Sequence, residues 1–541
     1  MSNIEDNEVE VLIIGAGASG AAVAWSLASA GIEVLCLEQG GWTDPKDYAS
    51  AHDDWELRAT NISNPQPNVR NLPSDYPVND KNSPIAPLMY NAVGGSTIFW
   101  SAHFPRFHPS DFKVKSLDGV ADDWPINYQD LEPFYDLNDE MMGCSGINGD
   151  PANPIRKKRP MPPIPIGEDG TLIAKAFDKL GWHWWPSDNY INSTTYNERN
   201  SCNFCGAVHL GCPRGAKAST DITYWPEAKK YGVKLLTNSR VTKITTSNDG
   251  KASGVNYVDL KNNGKEAHIS GKNIILACNG IGTPRLMLQS KSENHPRGIG
   301  NSSGLLGKNL MFHPYTMLVG LLPKNIETYK GPLGNALMSQ EFYETDAARN
   351  FVRGYTFQFN RSSGPITTAI GLGAKPIAWG ENHHQEFKNR FGKAIMMATI
   401  IEDLPEEHNS VEIDPKLKDS SGLNSPKINY SLSNNSKKMI QHAIKTGTTL
   451  FETVGVTEIL TTPVFKSAGW HLMGTARMGN DPKKSITDKW GRCHDVENLF
   501  IVDGSLFVTS SGVNPTPTIQ ALALRTGDYI VKNFRALKND K

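Results

Sequence analysis

The sequence is poor in cysteine and carries no excess of either charge. Seven cysteines in 541 residues are too few for the disulfide scaffold of a small secreted domain. The 55 lysines and arginines are balanced by 56 aspartates and glutamates, so the net charge is −1. Because nucleic acids and anionic membrane surfaces attract concentrated positive charge, neither is an expected partner.

A long uninterrupted hydrophobic run is also lacking. A membrane-spanning helix needs about 20 mostly apolar residues. The most apolar long stretch, residues 11–30, contains three glycines and three serines and begins with a run that is typical of a strand. The first ten residues are acidic and lack the basic region of an export signal. We therefore expect no membrane span and a cytoplasmic protein, whose export would need a partner subunit with its own signal.

What is present is the pattern of an α/β protein, and the length allows three or four units of about 150 residues. A strand over residues 9–14, a glycine-rich turn, a helix over 21–30 and a strand over 33–38 form one βαβ unit, which builds parallel sheets. From about residue 315 to 465 the pattern changes to alternating strands, and a long helix follows over about 516–534.

The first turn has the spacing Gly15-x-Gly17-x-x-Gly20. Gly15 permits the tight turn, Gly17 lets the backbone approach a pyrophosphate, and Gly20 lets helix and strand pack closely. The start of the helix offers N–H groups to phosphate, and Glu38, at the end of the second strand, can accept hydrogen bonds from a ribose. The residues predicted to contact an adenine dinucleotide are Gly15, Gly17, Ala18, Ser19, Gly20 and Glu38. The turn does not distinguish FAD from NAD.

Three further segments carry a specific resemblance. Residues 91–100 read NAVGGSTIFW, residues 469–479 read GWHLMGTARMG, and residues 500–518 contain FIVDGS and GVNPTPT. With the N-terminal turn they resemble the glucose–methanol–choline (GMC) family of FAD-dependent oxidoreductases, in the family's order and over essentially the whole chain. Residues 93–101, with DDWPI and DLEPFY further on, are similar to the branch of pyranose oxidases and flavoprotein subunits of bacterial sugar dehydrogenases.

The resemblance implies a Rossmann-type FAD-binding domain interleaved with an α+β substrate domain built on an antiparallel sheet. The expected FAD-binding segments are residues 1–115, 225–320 and 465–541. The expected substrate-binding segments are residues 116–224 and 321–464. The length alone suggested more units than these two.

The resemblance also implies four further contacts with FAD. A second glycine turn lies near the pyrophosphate and flavin, and one strand contacts adenine through its backbone. An Asp-Gly pair binds the pyrophosphate–ribityl part, and a proline turn places N–H groups at the flavin pyrimidine edge, where negative charge develops on reduction. In that order the residues are Gly94, Gly95 and Ser96; Val241; Asp503 and Gly504; and Pro515 and Thr516.

A noncovalent FAD is expected. Some pyranose oxidases attach FAD through a histidine directly before the tryptophan of this segment. In this sequence Phe99 precedes Trp100.

The expected reaction is alcohol oxidation, with hydride transfer to flavin N5. A free hydroxyl has a pKa comparable to that of water, about 15.7, and therefore needs a positioned base. The resemblance assigns that role to His471, an imidazole available as a base at neutral pH. By the same resemblance, Asn514 occupies the second catalytic position of the family and holds the substrate oxygen through its amide. His313 and His103 are interpreted as structural.

Three cysteines, Cys202, Cys205 and Cys212, lie within eleven residues. Related sugar-dehydrogenase subunits bind an iron–sulfur cluster in such a segment, with thiolates as ligands, and pass electrons to a cytochrome. Relatives commonly have a further cysteine where this sequence has Val208. A zinc site would need His209 as its fourth ligand. Small buried residues at a domain edge are the favoured interpretation, and no metal ligand is assigned.

The expected substrate, a sugar or glycoside hydroxyl, follows only from the resemblance, and a terpenoid, sterol or aliphatic alcohol stays open. The electron acceptor is a quinone, a protein or oxygen, with a dehydrogenase favoured over an oxidase. A small or cytochrome partner subunit fits the branch. Two alternatives remain: a non-redox FAD-containing lyase of the same family, and a subunit that relays electrons through an iron–sulfur cluster.

Overall fold

Two large sheets organise the chain in the computed structural model, which describes residues 8–262, 264–333, 337–361, 364–372 and 375–539. The strands are β1 Val9–Ile14, β2 Val34–Glu38, β3 Asn79–Asn82, β4 Trp185–Pro186, β5 Lys234–Thr237, β6 Ser239–Thr246, β7 Ala252–Asp259, β8 Lys265–Leu276, β9 Tyr315–Leu321, β10 Leu337–Ser339, β11 Tyr355–Asn360, β12 Ala394–Ile401, β13 Ser410–Lys418, β14 Asn424–Asn429, β15 Glu458–Thr462 and β16 Leu499–Ile501. The helices are α1 Ala18–Ser29, α2 Trp55–Ala59, α3 Pro67–Arg70, α4 Val114–Asp118, α5 Tyr128–Met142, α6 Gly167–Leu180, α7 Tyr224–Lys230, α8 Asn279–Gln289, α9 Pro365–Ala369, α10 His383–Arg390, α11 Asn434–Val454 and α12 Thr516–Asn539.

The first sheet has seven strands and is mainly parallel. Its order is β5-β2-β1-β8-β7-β6, with β16 also paired to β8. The pairs among β5, β2, β1, β8 and β16 are parallel, whereas β6, β7 and β8 form an antiparallel meander. Both faces of β1 are buried, since Leu12 and Ile14 belong to one core and Val11 and Ile13 to another. Burial on both faces is typical of a strand in a parallel sheet. It explains why residues 11–14 are all apolar.

The second sheet has six strands, in the order β15-β9-β12-β11-β10-β4, and all its pairs are antiparallel. Alternation along β11 gives its two faces different roles. Tyr355, Phe357 and Phe359 join the core that includes residues of α6 and α11. Gln358 and Asn360 line a cavity on the other side. A three-stranded sheet, β13-β14-β3, completes the described strands.

The α/β fold class is confirmed. The domain bounds remain a prediction. Strand β9 begins at Tyr315, where the alternating strands were expected to start, and belongs to the antiparallel sheet.

Candidate active site

One cavity lies between the two sheets. On one side it is lined by the carboxyl ends of parallel strands, at Ile14, Glu38 and the Ala277 that follows β8. On the other side it is lined by strands β9, β11 and β12 of the antiparallel sheet. Ligands of open parallel sheets bind beyond the carboxyl ends of the strands, so this is where a cofactor is expected. All predicted site residues line this cavity except Gly20 and Gly94.

The first glycine turn is shaped by close backbone contacts. Gly15 has a φ of +101°, and a Cβ at this position would lie 2.5 Å from the Ala277 carbonyl oxygen. A Cβ at Gly20 would lie 1.9 Å from the Gly15 carbonyl oxygen, so this glycine allows the helix to meet the turn. Helix α1 starts at Ala18, and no side chain caps it. Its first N–H groups are thus available to a phosphate in the cavity.

Glu38 supports this turn as well as lining the cavity. Its two carboxylate oxygens accept hydrogen bonds from the backbone N–H groups of Ala16 and Gly40, each at 2.8 Å. Burial raises the pKa of this carboxyl, and the backbone donors oppose that rise. Each oxygen can accept a further hydrogen bond, so Glu38 can contact a ribose while it keeps its bonds to the backbone of the turn.

The second glycine turn is supported by two buried ionisable side chains, Asp221 and Lys217. Gly94 and Gly95 have φ values of +96° and +53°, and the side chain of Asp221 packs against Gly94. The Lys217 ammonium donates to the carbonyl oxygens of Ile98 at 2.6 Å and Trp100 at 3.0 Å. Burial lowers the pKa of Lys217 to about 7. No motif in the sequence identified this lysine, because its role depends on where its segment packs.

The third part of the cofactor side comes from the C-terminal region. Asp503 is buried, and its carboxylate accepts from the Thr283 hydroxyl at 2.5 Å and from the Ser505 backbone N–H at 2.9 Å. Burial raises its pKa. Helix α12 begins at Thr516, directly after Pro515. Asp503, Pro515 and Thr516 line the same cavity as the first glycine turn.

His313 and His471 form a short chain of hydrogen bonds with the carbonyl oxygen of Ser511, which we call the relay. The Nδ1 atoms of His313 and His471 lie 2.6 Å apart, and His313 Nε2 lies 2.8 Å from the carbonyl oxygen of Ser511. Because a carbonyl oxygen only accepts, His313 carries its proton on Nε2. Burial lowers the pKa of His313 to about 4, so it is neutral at pH 7 and its Nδ1 accepts. His471 must then donate from its own Nδ1.

The relay leaves the Nε2 of His471 with a free lone pair. Burial, and secondly the neighbouring His313, hold the pKa of His471 well below its ordinary value. His471 lines the cavity, and its ring lies 5.8 Å from that of Tyr315. The sequence interpretation treated His313 as structural. Its position before Pro314 gives no sign of the contact, which links residues 158 positions apart.

Asn514 is held by the opposite sheet. The amide Nε2 of Gln358 donates to the Oδ1 of Asn514, and the Thr356 hydroxyl donates to the Gly512 carbonyl oxygen at 2.7 Å. Both donors lie on β11. The turn that carries Asn514 is therefore positioned by the antiparallel sheet. Sequence reasoning did not identify Gln358.

Two further residues complete the cavity wall. Phe99, at the position of the covalent histidine in some relatives, packs its ring 4.2 Å from that of Tyr90. His103 is 2% exposed, and within the described chain neither of its ring nitrogens has a hydrogen-bond partner. Burial lowers its pKa to about 3. A buried imidazole with two unmet nitrogens in this wall fits a site made to receive a polar ligand. With the glycine turns, it makes the cavity suitable for FAD.

In the described part of the chain, which includes the cysteine segment, no group of three or more His, Cys, Asp and Glu side chains is arranged to hold a metal ion. Burial raises the pKa of Cys202 to about 11, and it also raises that of Cys205. Cys212 accepts from the Lys217 backbone N–H through its sulfur, at 3.5 Å. His209, the other zinc candidate, packs its ring edge-on against Trp55.

Among the described helices, none is both long enough and apolar enough to cross a membrane.

Comparisons with known proteins agree with this architecture. Two profiles described as GMC oxidoreductase match residues 162–315 and 405–523, and a profile described as NAD(P)-binding Rossmann-like domain matches residues 13–74. The chain is similar to 2-methyl-1,2-propanediol dehydrogenase of Mycolicibacterium austroafricanum, with 42% identity over 98% of this chain and 96% of the relative. It is 30% identical to the fructose dehydrogenase large subunit of Gluconobacter japonicus, over 99% of this chain and all of that subunit.

A solved structure extends the likeness in fold. Pyridoxine 4-oxidase from Mesorbium loti superposes with a TM-score of 0.64 at 16% identity, covering 96% of this chain and 99% of that one.

Proposed function

Because the chain belongs to the GMC oxidoreductase family of FAD-dependent alcohol oxidoreductases, we propose that it is a dehydrogenase that oxidises a hydroxyl of a small polyhydroxylated compound, with His471 as the base. The observation that carries the proposal is the relay from Ser511 through His313 to His471. It fixes the proton of His471 on Nδ1 and leaves Nε2 able to accept a proton from substrate.

The residues divide the work between binding and proton transfer. Bound FAD supplies the hydride acceptor. The glycine turns at Gly15 and Gly95 and the start of α12 would hold it through backbone N–H groups. His471 Nε2 takes the hydroxyl proton, and the Asn514 amide holds the oxygen that loses it.

Two relatives support the substrate class. One is named for a branched 1,2-diol and one for fructose, and both compounds carry more than one hydroxyl. We therefore widen the substrate expected from the sequence, a sugar, to the class of small polyhydroxylated alcohols. Their names favour a dehydrogenase, whose acceptor is a quinone or a partner protein rather than oxygen.

The test is anaerobic flavin reduction. Purified holoenzyme is mixed with a panel of diols, hexoses and simple alcohols while the oxidised flavin absorbance is followed. We expect bleaching by at least one polyhydroxylated alcohol. If substrate is consumed while the flavin stays oxidised, the non-redox lyase alternative holds instead.

The acceptor is tested on the reduced enzyme. Oxygen, a quinone analogue and ferricyanide are added in separate mixtures. We expect reoxidation by the quinone analogue to be faster than by oxygen. Faster reoxidation by oxygen would identify an oxidase.

A further inference from the structure

Asn514 is paired with a second side-chain amide, that of Gln358. Gln358 lies in the middle of β11, is 4% exposed, and donates from Nε2 to the Oδ1 of Asn514. Both residues line the cavity. Within the part of the chain that the structure describes, the Oε1 of Gln358 has no hydrogen-bond partner.

The pairing decides which end of the Asn514 amide remains for substrate. A side-chain amide has an accepting oxygen and a donating NH2 group. Because the oxygen of Asn514 is taken by Gln358, the NH2 group remains. A donor is what an oxygen losing its proton requires, since negative charge develops on it. If the amide turned over, its oxygen would face that charge and repel it.

The sheet register keeps this arrangement in place. Gln358 pairs with Ala398 on β12, and Ala398 pairs with Met317 on β9, so these three residues form one row across the cavity wall. Ala398 is small and leaves space beside Gln358. Thr356, two residues before Gln358, binds the Gly512 carbonyl oxygen of the same turn.

We propose that Gln358 is a positioning residue for Asn514, and that its Oε1 accepts a hydrogen bond from a second hydroxyl on the carbon next to the reacting one. This inference rests on the proposed function and names its substrate class. The two amides together offer an NH2 group and a carbonyl oxygen side by side. In a 1,2-diol, the reacting oxygen accepts from Asn514 while the adjacent hydroxyl donates to Gln358.

The substrate class is tested with two alcohols that differ by one hydroxyl, 2-methyl-1,2-propanediol and 2-methyl-1-propanol. We expect anaerobic flavin reduction to prefer the diol by about 100-fold, because a polar site rejects an analogue that lacks the matching hydroxyl. Gln358→Leu should reduce that preference to about threefold or less, since no acceptor remains. The matched control is Gln385→Leu, the same substitution at an exposed position of α10, which should keep the preference.

The positioning role is tested by Gln358→Glu. A carboxylate only accepts, so it should turn the Asn514 amide and slow flavin reduction about tenfold or more at pH 8. A protonated carboxyl donates, so the rate should recover as the pH falls, whereas the wild-type rate falls as His471 becomes protonated. In the Asn514→Ala background this recovery should be absent. FAD content should be unchanged in every variant.

The outcomes separate the two proposals. If no alcohol reduces the wild-type flavin, the proposed function fails. If both alcohols reduce it equally, or Gln358→Leu keeps the diol preference, the function stands and the role of Gln358 in recognition is wrong. A pH profile of Gln358→Glu parallel to that of wild type contradicts the positioning role.

Discussion

The two walls of the cavity differ in the groups that face it: mainly backbone on one side and side chains on the other. The wall from the parallel sheet is mainly backbone, at turns such as Gly15 and Gly95 where a Cβ would collide with neighbouring backbone. The wall from the antiparallel sheet is made of side chains that alternate along strands, such as Gln358 and Asn360. Backbone N–H groups recognise phosphate, a group that many cofactors contain, whereas side chains select an individual substrate.

The catalytic candidates lie where these walls meet. His313 binds the carbonyl oxygen of Ser511, and Gln358 binds Asn514 three residues later. Ser511 has a φ of +59°, a conformation that is uncommon for a residue other than glycine. The short segment between Ser511 and Asn514 thus receives its geometry from the antiparallel sheet while it leads into the cofactor side.

Removing the base at this junction should have the largest effect. In His471→Ala no group remains to take the hydroxyl proton, so the rate of anaerobic flavin reduction should fall by about 10³-fold or more. The flavin should stay bound, because the glycine turns are untouched. His408→Ala, an exposed histidine, serves as the control. Near-normal reduction in His471→Ala would exclude His471 as the main base.

Disrupting the first glycine turn should weaken FAD binding and leave His471 unaffected. Gly20→Val places a Cβ against the Gly15 carbonyl oxygen, which cannot move without opening the turn. We expect FAD affinity to fall about 100-fold, in line with the loss of a close backbone approach worth nearly 3 kcal/mol.

The measurement is bound FAD per chain after gel filtration, with circular dichroism to verify folding. Gly149→Ala is the matched control, because a Cβ there has no neighbour within 4 Å. Retention of full FAD content by Gly20→Val would show that this contact is not needed for the cofactor.

Weakening the relay should give an intermediate effect with its own pH signature. In His313→Phe the tautomer of His471 is no longer fixed, and flavin reduction should slow by about 10- to 100-fold. Wild-type activity should persist below pH 6.5, because the lowered pKa keeps His471 unprotonated until the pH falls further.

Burial, the larger cause of the lowered pKa of His471, persists when phenylalanine replaces His313, so the acid limb of the rate profile should move up only slightly. A purely structural role would lower the rate equally at all pH values. Rapid-mixing absorbance between pH 5 and 8 distinguishes the two.

The cysteine segment should matter least. Replacing Cys202, Cys205 and Cys212 together by serine should change flavin reduction by about twofold or less, since none of the three is among the residues that line the cavity. Iron analysis of anaerobically prepared wild-type protein should give no stoichiometric iron. Iron at the stoichiometry of a cluster in the wild-type protein, and its absence from the triple variant, would support the alternative of an electron-transfer subunit with an iron–sulfur cluster.

Much of the cofactor side was predictable because each of its turns is a short contiguous motif. The spacing of Gly15, Gly17 and Gly20 within one βαβ unit specified a dinucleotide turn, and the motif around His471 pointed to the base. The alternating pattern was expected from about residue 315, where β9 begins, but a strand's sequence does not state which sheet it joins.

By itself, the sequence determined the α/β class, the dinucleotide-binding turn and the family resemblance. Short segments suffice for these, because turn geometry and helix starts are local properties of the backbone. Only the tertiary structure decided that His313 orients His471, that Lys217 supports the second glycine turn, and that Gln358 holds Asn514. Each of these contacts joins residues more than 100 positions apart, and strand register and packing, rather than local pattern, bring them together.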